Sequence, residues 1–111
     1  MILYIGKYIM YFNANKIKGE IAMLEYILKI LRDAPHTFLH NMLYDRLNSG
    51  NFRQNITYNR NSDKFEVPYS EVDLQMKWLL KQNGFGTTEK ALEGTNIYIE
   101  IWPDSISFWL K

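Results

Sequence analysis

The chain has 111 residues, of which 47% are hydrophobic and 15% aromatic, and its formal net charge is +1. This length supports one small hydrophobic core but not two domains. A net charge near zero removes the whole-protein electrostatic argument for nucleic-acid binding. Because the chain has no cysteine, disulfide frameworks, thiolate zinc sites and cysteine nucleophiles are excluded, and we expect a cytoplasmic protein.

The chain opens with the apolar run MILYIGKYIMYF. Gly6 and Lys7 interrupt this run and no small-residue cleavage site follows it, which argues against a signal peptide. The run is also too short to span a bilayer, so we expect no membrane association.

Residues 1–22 have two interpretations, and residues 23–111 form the single domain in both. In the first, the N-terminal extension is an apolar strand that covers the aromatic face of the hairpin predicted at the end of the chain. In the second, it lies upstream of an internal translation start at Met23. The second rests on Lys18-Gly19-Glu20, which in an AT-rich bacterial or phage genome would be encoded by a purine-rich ribosome-binding sequence at a suitable distance from Met23.

Two helices are predicted in the first half of the chain. Over residues 16–34 apolar side chains recur every three or four positions, which is typical of one buried helical face, and a proline then ends the helix. A second helix is predicted over residues 36–47, with the sequence NSGN as its terminator. The side chains expected to face inward are Ile17, Ile21, Leu24, Ile27, Leu28 and Leu31 in the first helix, and Leu39, Met42, Leu43 and Leu47 in the second.

The next segment changes to the alternating pattern of strands. Residues 54–58 and 64–67 alternate apolar and polar side chains around the polar turn NRNSD, which predicts a β-hairpin. A third helix is predicted from Ser70, a suitable N-cap, to the stop signal Asn83-Gly84, with Val72, Met76, Leu79 and Leu80 buried.

A second hairpin is predicted at the end of the chain, with its turn at Pro103-Asp104-Ser105. Strand alternation places two sets of side chains on opposite faces. The core-facing set is Ile97, Ile99, Ile101, Ile106, Phe108 and Leu110, and the opposite set is Tyr98, Glu100, Trp102, Ser107 and Trp109.

These elements predict an α+β fold, a small single domain of three helices and two β-hairpins. Their order is compatible with a winged-helix arrangement, in which residues 70–83 form the recognition helix and the last hairpin forms the wing.

The leading functional interpretation is a small, non-enzymatic regulatory or inhibitory protein that binds a macromolecular partner, preferentially a protein. Tyr98, Trp102 and Trp109 would form an aromatic sheet face of the kind found at protein-binding hot spots. The first hairpin would add secondary contacts through Arg53, Tyr58 and Arg60.

The alternative is a winged-helix DNA-binding regulator. Between residues 46 and 64 four cations face Asp63 alone, a local balance of 4 − 1 = +3. Such cations, interleaved with aromatic residues, are typical of phosphate and base contacts. The residues assigned to phosphates are Arg46, Arg53, Arg60 and Lys64, and those assigned to bases are Gln75 and Lys77.

A more remote alternative is a metal-dependent hydrolase built on His36, His40 and Asp45. The histidines are four residues apart and so share one helical face, but no glutamate between them could serve as a general base. Gly84-Phe85-Gly86 lacks the lysine pattern of a phosphate loop. We therefore expect no enzyme, no metal and no cofactor.

Overall fold

Four α-helices and a five-stranded antiparallel sheet make up the part of the chain that a computed structural model describes. The described residues are 7–33 and 37–111, with the backbone alone at residues 7–18, 50 and 51. The helices are α1 (Lys7–Asp33), α2 (Phe38–Leu47), α3 (Gly50–Gln54) and α4 (Leu74–Gln82), with a 3-10 turn at Tyr69–Glu71. The strands are β1 (Thr57–Asn59), β2 (Lys64–Pro68), β3 (Lys90–Ala91), β4 (Ile97–Ile101) and β5 (Ser105–Leu110).

The strand order is β1-β2-β5-β4-β3, so the two predicted hairpins join into one sheet through β2 and β5. Phe65 lies opposite Phe108 in that pairing, and Ile99 lies opposite Phe108 in the pairing of β4 with β5. The last hairpin therefore forms the centre of the sheet instead of projecting as a wing, because β5 has a hydrogen-bonded neighbour on each side. The predicted α+β class is confirmed.

The core lies between the helices and one face of the sheet. Its side chains come from the predicted apolar faces of the helices and from alternate positions on the strands, as burial of one sheet face requires. Among its most deeply buried members are Ile27, Leu31, Leu80, Val67, Leu92, Ile97 and Ile99. The strand register confirms the predicted grouping of side chains on the two faces of the last hairpin, although Ser107 and Trp109 on the face opposite the core are also buried.

The predicted N-terminal strand is wrong for residues 7–22, which belong to α1, while residues 1–6 lie outside the described residues. Elongating an existing helix adds one hydrogen bond per residue, so the anchored segment from Leu24 to Leu31 favours extension of the helix toward the N-terminus. Ile21, expected to face inward, is exposed. The predicted position of Ile17 falls on a side chain that the structure does not describe.

Helix α4 begins four residues later than Ser70, which lies in the 3-10 turn. Asp73 is the N-cap, and its carboxylate accepts the backbone N–H of Met76 at 2.8 Å. The predicted stop is confirmed: Asn83 caps the helix and Gly84 adopts φ +84°, a left-handed conformation that favours glycine.

Two short elements were not predicted. The first is α3, which lies between α2 and β1 where the sequence predicted a helix terminator and the start of a strand. As a result β1 begins at Thr57 instead of residue 54. The two-residue strand β3 lies at the edge of the sheet beside β4. No helix among the described residues combines the length and the apolar character needed to cross a membrane.

Candidate functional site

The predicted aromatic face lies on the side of the sheet opposite the helices. Tyr98 and Trp109 are cross-strand neighbours in β4 and β5, and their stacked rings have centroids 6.1 Å apart. Trp102 follows the end of β4, and its indole N–H points to the Glu100 carboxylate, with 3.3 Å between Nε1 and Oε1.

Lysine side chains cover the two stacked rings. The Lys64 ammonium lies 4.0 Å from the Trp109 ring centroid and pairs with Glu100 at 3.2 Å. The Lys111 ammonium lies 4.5 Å from the Tyr98 centroid, and its hydrogen bond to Glu89 raises the Lys111 pKa. Trp109 is only 6% exposed and Tyr98 is half-buried, whereas Trp102 is 43% exposed. Of the three aromatic residues, Trp102 is the most exposed to solvent and Trp109 is buried.

The aromatic sheet face does not include the secondary contacts predicted for the first hairpin, which were Arg53, Tyr58 and Arg60. Tyr58 lies opposite Phe65, whose ring belongs to the core, and meets it edge-on at 4.9 Å. Its hydroxyl donates to Asp63 at 3.1 Å, and partial burial together with this carboxylate raises the Tyr58 pKa. The predicted partner-binding residues are thus divided between opposite sides of the sheet.

The four cations assigned to phosphates all form ion pairs with carboxylates that are distant in sequence. The pairs are Arg46–Asp73, Arg53–Glu25, Arg60–Glu20 and Lys64–Glu100. The local excess of +3 seen along the sequence is therefore neutralised in space by acids from α1, the α4 N-cap and β4. The two residues assigned to bases, Gln75 and Lys77, lie on α4, where Gln75 is exposed and Lys77 is half-buried.

The residues of the hydrolase hypothesis do not form a metal cluster in the described part of the chain. His40 is buried, and both of its ring nitrogens are engaged: Nδ1 with the Thr37 hydroxyl, and Nε2 with the Glu93 carbonyl oxygen at 2.8 Å. His36 lies outside the described residues. Across residues 7–33 and 37–111, no three histidine, aspartate or glutamate side chains are placed to hold a metal ion.

The three most exposed of the large apolar side chains in the described residues lie on α2 and α4, where the sequence predicted DNA contacts but no protein-binding surface. Leu74 is 81% exposed, Phe38 66% and Trp78 58%. We call these three residues the α2–α4 patch. Helix α4 buries Met76 and Leu80 on one face and presents Leu74 and Trp78, four residues apart, on the other. That spacing was visible in the sequence, and it is the signal that could have revealed the patch.

Two shallow, open grooves lie at this patch, one on α4 beside Leu74 and Trp78 and one beside Phe38. The larger, of about 660 Å³, is lined by Tyr69, Leu74, Gln75, Lys77, Trp78 and Lys81. The second, of about 270 Å³, is lined by Phe38, Asn41, Met42, Asp45, Arg46 and Gln75. Gln75 lines both grooves, so they adjoin at this residue of α4.

The charged residues that line this surface are Asp45, Arg46, Lys77 and Lys81, and the Asp73 carboxylate lies beside them, paired with Arg46. Partial burial alone would raise the Asp73 pKa, but the Met76 N–H, the Arg46 guanidinium and the Lys77 ammonium outweigh it and lower the pKa. Asp73 is thus held as a carboxylate between Arg46 and Lys77, and the Lys77 ammonium lies 4.2 Å from the Tyr69 ring centroid.

Comparison of the chain with protein-family models, with curated proteins and with solved structures gave no match. The candidate site is therefore defined by its own geometry: an exposed apolar patch with a groove on α4 whose charged lining is basic.

Proposed function

We propose that this chain is a cytoplasmic, non-enzymatic protein that acts by binding another protein, as a regulator or inhibitor does. The observation that carries the proposal is the α2–α4 patch, in which Phe38, Leu74 and Trp78 are all more than half exposed. Neighbouring exposed apolar side chains of this size mark interaction sites on soluble proteins. Tryptophan is also among the residues that contribute most to protein–protein affinity.

The α2–α4 patch supports this role better than the aromatic sheet face does. On the sheet face, Trp109 already has partners within the chain, because Lys64 and Tyr98 lie against its ring. A partner would have to displace the Lys64–Glu100 ion pair to reach that ring. Trp78 and Leu74 require no such rearrangement.

DNA binding remains the alternative, and the ion pairs weigh against it. A phosphate would have to compete with Asp73, Glu25, Glu20 or Glu100 for each of the four assigned cations. Fluorescence anisotropy of labelled random duplex DNA tests this alternative. Micromolar binding that weakens at least tenfold between low and physiological salt would support DNA as the partner, because phosphate contacts release counterions.

Site-specific photo-crosslinking in cells of the source organism tests the proposal. A photoreactive phenylalanine analogue replaces Trp78, Trp102 or, as a control on the first hairpin turn, Asn61, one at a time. We expect a discrete protein adduct from position 78, and none from position 102 or 61. An adduct from position 102 alone would restore the sheet face as the binding surface, and the absence of a protein adduct from both 78 and 102 would refute the proposal.

A further inference from the structure

We propose that the groove on α4 binds an acidic, amphipathic peptide segment of the partner protein. This inference rests on the proposed function and deepens it by stating the chemistry of the partner. It starts from the groove lining, in which Tyr69, Leu74 and Trp78 supply apolar surface and both charged side chains, Lys77 and Lys81, are positive.

These two lysines differ from most cations elsewhere in the described chain. Arg46, Arg53, Arg60, Lys64 and Lys111 each form an ion pair with a carboxylate of another element or loop. Lys77 instead lies over the Tyr69 ring, near an Asp73 carboxylate that is already bound to Arg46. Lys81 is exposed, and no ion pair joins it to another described residue. The groove therefore keeps an excess of positive charge that a partner's carboxylates can match.

The apolar part of the groove indicates that the partner segment must also carry large apolar side chains. Leu74 and Trp78 are one helical turn apart, so their side chains form a short ridge along α4, with the Tyr69 ring beside it. An amphipathic helix places large apolar side chains at the same spacing and can lay them along such a groove. Glutamate or aspartate at the margins of that helix would lie near Lys77 and Lys81.

A second copy of this chain fits the groove less well. A two-fold pairing centred on Trp78 would bring Lys77 and Lys81 of both copies to one interface, and like charges in close contact oppose association. The partner segment must therefore differ from α4 in charge, although it shares its apolar character.

Selection from a random peptide library tests this inference. Sixteen-residue peptides displayed on phage are selected on the immobilised full-length chain, and binders that are also retained by the Trp78→Gln variant are discarded. We expect the remaining peptides to carry net negative charge and two or three large apolar residues at helical spacing. Recovery of no Trp78-dependent peptide, or of peptides with neutral or positive net charge, would overturn the inference.

Affinities of the best selected peptide, measured by fluorescence anisotropy, locate its site. Trp78→Gln should weaken binding about tenfold or more, whereas the matched control Trp102→Gln, also an exposed tryptophan, should change it less than about twofold. Lys81→Glu should weaken binding about fivefold, and Lys29→Glu, an exposed lysine on α1, should not. Equal effects within either pair would overturn the proposed placement.

Two further results separate this inference from the function on which it rests. A protein adduct from position 78 without acidic peptides in the selection would leave the proposed function standing and refute only the acidic partner. Sedimentation that shows a dimer in the wild-type chain and a monomer in Trp78→Gln would instead identify a second copy as the occupant and overturn the inference.

Discussion

Two tryptophans of this chain, Trp109 and Trp78, have opposite environments. Trp109 extends from the sheet face opposite the core, yet it is 6% exposed, and the Tyr98 ring and the Lys64 ammonium lie against its indole ring. Trp78 extends from a helix that packs on the core, yet it is 58% exposed. The exposure of these two tryptophans therefore does not follow from the face of the strand or helix on which each lies. It depends on which side chains lie next to the indole ring.

The long lysine side chain explains this difference. Its aliphatic part can cover an aromatic ring while the ammonium group stays near water and near a carboxylate. Lys64 does this for Trp109, with Glu100 as the ion-pair partner. On α4, the ammonium of Lys77 lies over Tyr69 instead of Trp78, and Trp78 remains available to a partner.

The largest expected effect is on stability and distinguishes the two tryptophans directly. Trp109→Ala should lower the free energy of unfolding by about 3–5 kcal/mol, since it removes a large buried side chain. Trp78→Ala should change it by no more than about 0.5 kcal/mol, as exposed positions usually do. Urea denaturation followed by circular dichroism measures both, and similar losses for the two variants would contradict the comparison.

A smaller effect is expected from removing the cover of Trp109. Lys64→Ala should lower the free energy of unfolding by about 1 kcal/mol, because it removes both the contact with the indole ring and the ion pair with Glu100. It should also increase acrylamide quenching of the Trp109 fluorescence, measured in a variant with Trp78 and Trp102 replaced by phenylalanine. Lys29→Ala, at an exposed position on α1, serves as the control and should change neither quantity.

Initiation at Met23 stays a prediction, and its product tests whether the sheet face depends on the N-terminal segment. Residues 23–111 retain Lys64, Tyr98 and Trp109, and lose the Arg60–Glu20 ion pair, worth about 1 kcal/mol or less. We expect near-UV circular dichroism like that of the full chain. Loss of that signal would show that residues 1–22 help to order the aromatic residues, and mass spectrometry of the native protein would show which start is used.

The smallest expected effect concerns the charge at the edge of the α2–α4 patch. The pKa of Asp73 is lowered in the folded state, so its ionised form stabilises the fold above the unfolded pKa, and this contribution disappears as the pH falls through the folded value. Asp73→Asn keeps a capping side chain but removes the charge, and should cost about 0.3–1 kcal/mol at pH 7. The difference in the free energy of unfolding between this variant and wild type, measured by urea denaturation at a series of pH values, should shrink below about pH 4. A difference that stays constant with pH would contradict this prediction.

The parts of the fold that were predictable are those with a strong local period. The apolar spacing of Leu24, Ile27, Leu28 and Leu31 and the alternation of β4 and β5 each specify one buried face, and the structure buries those faces. The start of α4 was harder to predict, because Ser70 and Asp73 are both suitable N-caps; in the structure Asp73 makes the capping hydrogen bond and Ser70 lies in the 3-10 turn. The N-terminal part of α1 was the hardest of these elements to predict, since its apolar residues do not recur at a regular helical spacing.

The candidate site was predictable only in part. Strand alternation correctly grouped Tyr98 with Trp109, but their cover by Lys64 and Lys111 depends on contacts between different strands and the chain end. In the same way, the basic segment looked unpaired along the sequence because Glu20 and Glu25, its partners on α1, are 28 to 40 residues away from Arg53 and Arg60. Contacts of this kind follow from the assembled fold and cannot be derived from local composition.

The hydrogen bonds of His40 have a consequence for how the molecule opens. Its backbone N–H and its imidazole both meet the Thr37 hydroxyl at the start of α2, and its Nε2 reaches Glu93 in the turn before β4, 53 residues further along the chain. Fraying of that helix end therefore requires release of the turn as well. Amide protons of the first turn of α2 and of residues 92–97 should exchange with solvent as one cooperative unit, at a common free energy of opening.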